Sequence, residues 1–147
     1  MDAQTPLPDD RLEAYPAVST DKLRYADTDA QGHVNNAVFS TFLETGRVEI
    51  FRSGEGIIAD PGCAFVIARL ELDFLKEITC PGTVEIGTRV ERIGRSSMTL
   101  AQGVFQDGVQ AARARSVIVQ MDEATRKSRA LSRHAVAHLT RLMPNTA

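Results

Sequence analysis

The sequence predicts an α+β domain: a largely antiparallel sheet with one long central helix. Three observations carry this. One stretch holds an apolar stripe at helical spacing. Four later stretches read as strands, alternating at period two or bounded by turn pairs. The long helical stretch precedes those strands instead of alternating with them, which excludes a run of βαβ units.

Residues 1–19 carry Pro6, Pro8 and Pro16 among polar residues and read as an extended N-terminal arm before a single domain over 20–143. A short strand is expected over 22–26, followed by a segment from Asp27 to Asn36 dense in turn formers and caps. From Ala37 the period becomes helical, with Phe39, Phe42, Leu43, Gly46, Ile50 and Phe51 on one face. Val38 and Val48 widen the stripe, so the helix is expected to be covered on more than one side. Asn35 or Asn36 supplies the N-cap, and the stretch 53–56 stops the helix.

After Pro61 and Gly62, the residues Val66, Ala68, Leu70, Leu72 and Phe74 alternate with Arg69, Glu71 and Asp73, a half-buried strand. Val84, Ile86 and Val90 alternate in the same way beyond Pro81 and Gly82. A turn at 93–96 leads into a strand over 98–105, and Asp107-Gly108 is a hairpin signal. The last long strand, 111–121, is rich in alanine and predicts close packing against the helix. A short helix over 133–142 stops before Pro144. Hairpin-type turns are expected between all four strands. One helix covers only part of one sheet face, which predicts a homodimer or a dimer-of-dimers tetramer.

Composition excludes several functions. The 147 residues make one domain, 43% hydrophobic and 24% charged, with a net charge of −2 that argues against nucleic-acid or membrane binding. Cys63 and Cys80 have no CxxC spacing and read as inert small hydrophobes; with three histidines in the chain, no metal site is expected. The first eight residues lack the basic and apolar regions of a signal peptide, and no apolar run is long enough for a membrane helix. A soluble, cytoplasmic protein is expected.

The chemistry concentrates between Asp27 and Asn36, where two carboxylates, an imidazole and two amides meet a helix N-terminus. The first-turn N–H groups of that helix lack intrahelical partners and can donate to a carbonyl oxygen gaining negative charge. A carboxylate beside them suits hydrolysis of an activated acyl group, by attack or by deprotonating water. The same residues also serve as caps and turn formers in many loops. A phosphotransfer aspartate fits poorly, because 22–26 is not a continuous apolar strand. Chelation by Asp27, Asp29 and His33 lacks further ligands at good spacing.

The run Tyr25-Ala26-Asp27-Thr28-Asp29-Ala30-Gln31-Gly32-His33-Val34-Asn35-Asn36, with Glu44 and Arg47 on the helix, resembles the hotdog-fold acyl-CoA thioesterases of the 4-hydroxybenzoyl-CoA thioesterase type. Its His33-Val34-Asn35-Asn36 element is also similar to the plant acyl-carrier-protein thioesterases. The resemblance extends over residues 20–142. It implies a hotdog fold and hydrolysis of an acyl-CoA or acyl-carrier-protein thioester, with no cofactor beyond the coenzyme A of the substrate. It puts the catalytic carboxylate on Asp29 and the carbonyl-polarising amide near Asn36, with Gln31 and His33 orienting water or the Asp. Asp27 supports the loop. Gln31 stands where the plant-type pattern has Asn, and Phe39 where the family usually has Tyr. Glu44 is the reserve carboxylate, since another hotdog branch carries its own on this helix; its other reading is a pair with Arg47. Arg92, Arg95 and Ser96 match the stretch that meets the nucleotide end of coenzyme A, often across a subunit interface; Arg126 and Lys127 are further candidates. A hotdog dehydratase or hydratase and a non-catalytic acyl-CoA-binding dimer remain the alternatives.

Overall fold

The computed structural model describes residues 11–54 and 56–144. Its main sheet is fully antiparallel in the order β1-β5-β6-β7-β4: β1 Ala17–Lys22, β4 Cys63–Phe74, β5 Thr83–Ile93, β6 Ser97–Gln106 and β7 Val109–Asp122. Helix α1, Asn36–Ile50, packs on one face, in the hotdog arrangement, and a second helix, α2, spans Arg133–Thr140. A two-residue hairpin, β2 Arg52–Ser53 with β3 Gly56–Ile57, follows α1 and was not predicted.

Helix α1 forms where the periodicity puts it. Asn35 caps it, its Oδ1 accepting from the Ala37 N–H at 3.0 Å. Phe39, Phe42, Leu43, Gly46 and Ile50 are buried; each large apolar side chain contributes roughly 1.5–3 kcal/mol relative to exposure. Val48 is exposed, so the stripe is narrower than expected. Gly46 sets the closeness of helix to sheet: a Cβ there would lie 2.8 Å from Gln102 Nε2 and 2.8 Å from Ile86 Cγ2. The alanines of β7 do the same from below, Ala111, Ala112 and Ala114 sharing a core with Phe39, Phe42 and Leu43. A second core joins Ile50, Val90, Met98 and Leu100 to Leu139 of α2. His138 Nε2 of α2 meets the Ile50 carbonyl at 2.7 Å, covering the C-terminal end of α1.

Three expectations are corrected. The first strand lies at Ala17–Lys22, inside the expected arm, and not at 22–26. Buried Tyr15 packs at Gly87 and Gly103 and edge-on to Phe105, which draws the chain onto the sheet early. The chain then leaves it because Tyr25–Asp27 closes a 3-10 turn, with Asp27 Oδ2 accepting the Arg24 N–H at 2.8 Å. Residues 1–10 of the expected arm lie outside the described residues.

Strands β4 and β5 are not a hairpin. β4 pairs with β7 at the sheet edge, and residues 75–82 carry the chain across to β5. That crossing is held by Ile78, which is fully buried and whose carbonyl accepts the Val34 N–H at 2.9 Å.

The simple alternation of β4 is also broken. A bulge between Ile67 and Arg69 shifts the register by one residue, so Phe65 stacks near Phe51, the C-cap of α1, before it and Phe74 near Phe39 after it. Val66 and Ala68 therefore leave the helix-facing series, while Phe65, Ile67, Leu70, Leu72 and Phe74 occupy it.

Candidate active site

The loop ahead of α1 is built on Asp29. Its Oδ1 accepts the Gln31 N–H at 2.9 Å and the His33 N–H at 3.4 Å, and its main chain exchanges bonds with His33 and Gly32 at 2.8 Å and 3.0 Å. Gly32 has φ +82°, a conformation that glycine adopts without strain. The second carboxylate oxygen, Oδ2, makes no hydrogen bond among the described residues, and the side chain is exposed. Asp27 plays a different part: it is buried, its carboxylate is bound by the Arg24 N–H and guanidinium, and its carbonyl accepts the Asn35 N–H at 2.8 Å. As expected, it supports the loop.

The β4–β5 crossing completes the site. His33 and Thr79 form a bridge, and His33 Nε2 lies 3.0 Å from Glu77 Oε2. Glu77 and Asn36 line a cavity of about 220 Å³ with Val34, Phe39, Phe74 and Lys76 among its walls. The Phe39 and Phe74 rings meet edge-on with centroids 5.1 Å apart. Asn36 is the first residue of α1. Its N–H has no partner among the described residues, whereas the Ala37 and Val38 N–H groups are taken by Asn35. Asn36, which lines the cavity, thus has a free N–H at the positive end of a helix, and the loop leading into that helix carries a free carboxylate oxygen on Asp29, which does not itself line the cavity.

The model of the thioesterase-like superfamily matches residues 23–139. The chain belongs to that superfamily. Acyl-CoA thioester hydrolase YbgC of Escherichia coli O6:H1 is 26% identical over 121 residues, covering 79% of this chain and 90% of that protein. A thioesterase of Thermus thermophilus, solved in complex with coenzyme A and zinc, is 30% identical, with a TM-score of 0.77 over 88% of this chain and 96% of that one. A predicted thioesterase of Bacillus stearothermophilus is 27% identical, with a TM-score of 0.77 over 88% and 98%.

Within this member of the thioesterase-like superfamily, the expected residues divide into two groups. Asp29, Gln31, His33 and Asn36 share one loop and helix start. Gln31 and His33 hold Asp29 through their main-chain N–H groups; among the described residues the Gln31 amide makes no side-chain bond, and the His33 imidazole turns to Glu77. Arg92, Arg95 and Ser96 lie at the far end of β5, about 30 Å of strand from Thr83 near the loop. The chain does not bring them to Asp29. Arg126 and Lys127 sit in the exposed loop after β7.

Glu44 and Arg47 do not form a close ion pair. Arg47 is buried and bonds Gln102 Oε1 at 3.4 Å; burial lowers its pKa from the ordinary arginine value, and the charge of Glu44 opposes that shift. Cys63 is half-buried, with its Sγ 3.3 Å from Arg129. Among the described residues no three His, Cys, Asp or Glu side chains group as metal ligands, and no helix is long and apolar enough to cross a membrane.

Glu77 and Lys76 were missed. They follow β4 in sequence and reach the site only through the crossing, for which the one local signal was Ile78, isolated among polar neighbours.

Proposed function

We propose that this chain is an acyl-CoA thioesterase, cleaving an acyl thioester to the free acid and coenzyme A. The observation that carries the reading is that one short segment holds both a free helix-start N–H, at Asn36, and an unengaged carboxylate oxygen, Oδ2 of Asp29. The thioester carbonyl accepts from Asn36, which stabilises negative charge on its oxygen as the bond is attacked. Asp29 either deprotonates the attacking water or attacks the carbonyl carbon itself. In the second case a mixed anhydride forms, the thiolate leaves and takes a proton, and water then opens the anhydride. His33, fixed by Glu77, closes one side of the loop. Water is the only other reactant, and coenzyme A enters as part of the substrate.

The working unit of this reading is a dimer in the cytoplasm. β4 is an edge strand; Ile67, Leu70 and Phe74 are exposed along its helix-facing side, and Leu75 is exposed just beyond its end. A second copy pairing there covers both edge and strip, alone or within a dimer of dimers. The Arg92, Arg95 and Ser96 turn of one copy then serves the nucleotide phosphates of a substrate bound at the other.

Thiol release measured across short, long and aryl acyl-CoA esters, with acyl-carrier-protein esters alongside, tests the activity. Release of coenzyme A without water addition to an enoyl ester supports it. Water addition without release would make the chain a hydratase, and tight binding with neither would make it a sensor. Single turnover in 18O water separates the two routes: label in the Asp29 carboxylate marks attack by Asp29.

A further inference from the structure

We propose that Arg47 reads an uncharged oxygen towards the far end of the acyl group, so that the preferred substrates are long-chain acyl-CoA esters carrying a distal hydroxyl or keto group. This rests on the thioesterase reading above and names its substrate class.

Arg47 is 8% exposed, yet its guanidinium has five N–H donors and one hydrogen bond among the described residues, to Gln102 Oε1 at 3.4 Å. That acceptor is held in place: Gln102 Nε2 donates to the Leu43 carbonyl at 3.0 Å and to Thr88 Oγ1 at 3.0 Å. Gly46 keeps the helix low over this network, since a Cβ there would come within 2.9 Å of Thr88 Oγ1. Stability alone does not call for the arrangement, because an apolar side chain of similar volume commonly replaces a buried ion without loss. The remaining donors are not sealed in the core: they open on solvent-accessible space, where water or a ligand oxygen can accept from them.

The surroundings say which one. Arg47 lines a cavity of about 250 Å³ whose other walls include Val48, Phe51, Phe65 and Ile67. A further cavity of about 300 Å³ continues from it past the same Val48, Phe51 and Phe65. Both lie between α1 and β4, as does the cavity at Asn36. Asn36 and Arg47 are about 16 Å apart along the helix. The cavity at Asn36 shares no wall with these two, so an acyl chain whose carbonyl accepts from Asn36 would run along α1 beside β4 to reach the guanidinium. Glu44 lines the cavity at Arg47 and balances its charge, so a neutral oxygen suits the place and a carboxylate does not.

The test compares long-chain acyl-CoA esters of equal length with and without a terminal hydroxyl, as the ratio of kcat/KM. Wild type favours the hydroxylated ester. Arg47→Met lowers that ratio by about 10- to 100-fold, the usual loss for a hydrogen bond to a charged group, and Arg47→Lys keeps part of it. A purely structural arginine would move Tm and both esters alike, leaving the ratio where it was, and that result overturns the proposal. So does a wild type that hydrolyses both esters equally, a measurement that needs no variant. A folded wild type that hydrolyses neither overturns the thioesterase reading, and this inference with it.

Discussion

Two loops of this chain are organised by the same device and put to different uses. Asp29 Oδ1 gathers the N–H groups of Gln31 and His33; Asp122 Oδ1 gathers those of Ala124 and Thr125 at 2.9 Å and 3.0 Å. The difference is the second oxygen. Asp122 Oδ2 lies 3.4 Å from Arg129, in a loop that folds back on its own strand through Asp122–Lys127 and Met121–Ser128. Asp29 Oδ2 is left open, in a loop that ends on a helix start and a cavity. In the proposed reaction, it is this unspent oxygen that lets a turn-shaping aspartate serve as the reagent.

The largest expected effect separates the two carboxylates. Asn keeps a side-chain oxygen that can accept both turn N–H groups, so Asp29→Asn removes charge while keeping the loop. It should lower kcat/KM for acyl-CoA hydrolysis by about 10²- to 10⁴-fold, the range for losing a general base, with Tm near wild type. Asp122→Asn should leave turnover at the wild-type level. Comparable turnover by the two variants would mean that the loops do not differ in function.

A smaller loss is expected at the pair that the Asp122 loop has no counterpart for. His33→Ala should lower kcat/KM by about 10-fold or more, and Glu77→Gln by less, because the imidazole contacts Glu77 while the His33 main chain still holds Asp29. If Glu77→Gln costs more than His33→Ala, Glu77 acts on substrate directly instead of positioning His33.

The Asp29 loop was legible in the sequence because its parts are local. Asp29, Gly32 and the Asn35 cap lie within seven residues, and the helical stripe begins at once. The β6–β7 hairpin was legible for the same reason, with Asp107 and Gly108 both at positive φ, 52° and 77°. What escaped was non-local. Glu77 meets His33 across forty-odd residues, and β4 chooses β7 over its neighbour β5 because of pairing that no turn signal between 75 and 82 encodes. The bulge in β4 hid among alternating residues, since one inserted position keeps apolar and polar side chains alternating while changing which of them face the helix. The Arg47 network escaped because an i,i+3 pair with Glu44 accounts for the same residues on the surface of a helix.

The N-cap offers a further contrast, between the helix the Asp29 loop feeds and the loop itself. Asn35→Ala removes the acceptor of the Ala37 N–H and should destabilise the chain by about 1 kcal/mol in urea unfolding. It also frees a second N–H beside Asn36, so turnover should fall by less than the His33→Ala loss. A drop as deep as that of Asp29→Asn would show that the cap, and not the carboxylate, sets the geometry of the site.

The smallest effect belongs to Asp122, and its sign follows from the direction of its titration. The Thr125 N–H, then the Ala124 N–H, and more weakly Arg129, hold the Asp122 carboxyl below its ordinary range. A depressed pKa in the folded state stabilises the fold at pH above the ordinary carboxylate range; that contribution is lost as pH falls through the folded value. Asp122→Ala should therefore lower Tm slightly at neutral pH, with the gap closing on acidification. Hydrogen exchange should show faster exchange of the Ala124 and Thr125 amides, with thioester turnover unchanged. A Tm gap that widened in acid would reverse the sign, and a loss of turnover would mean that this loop, too, serves the reaction.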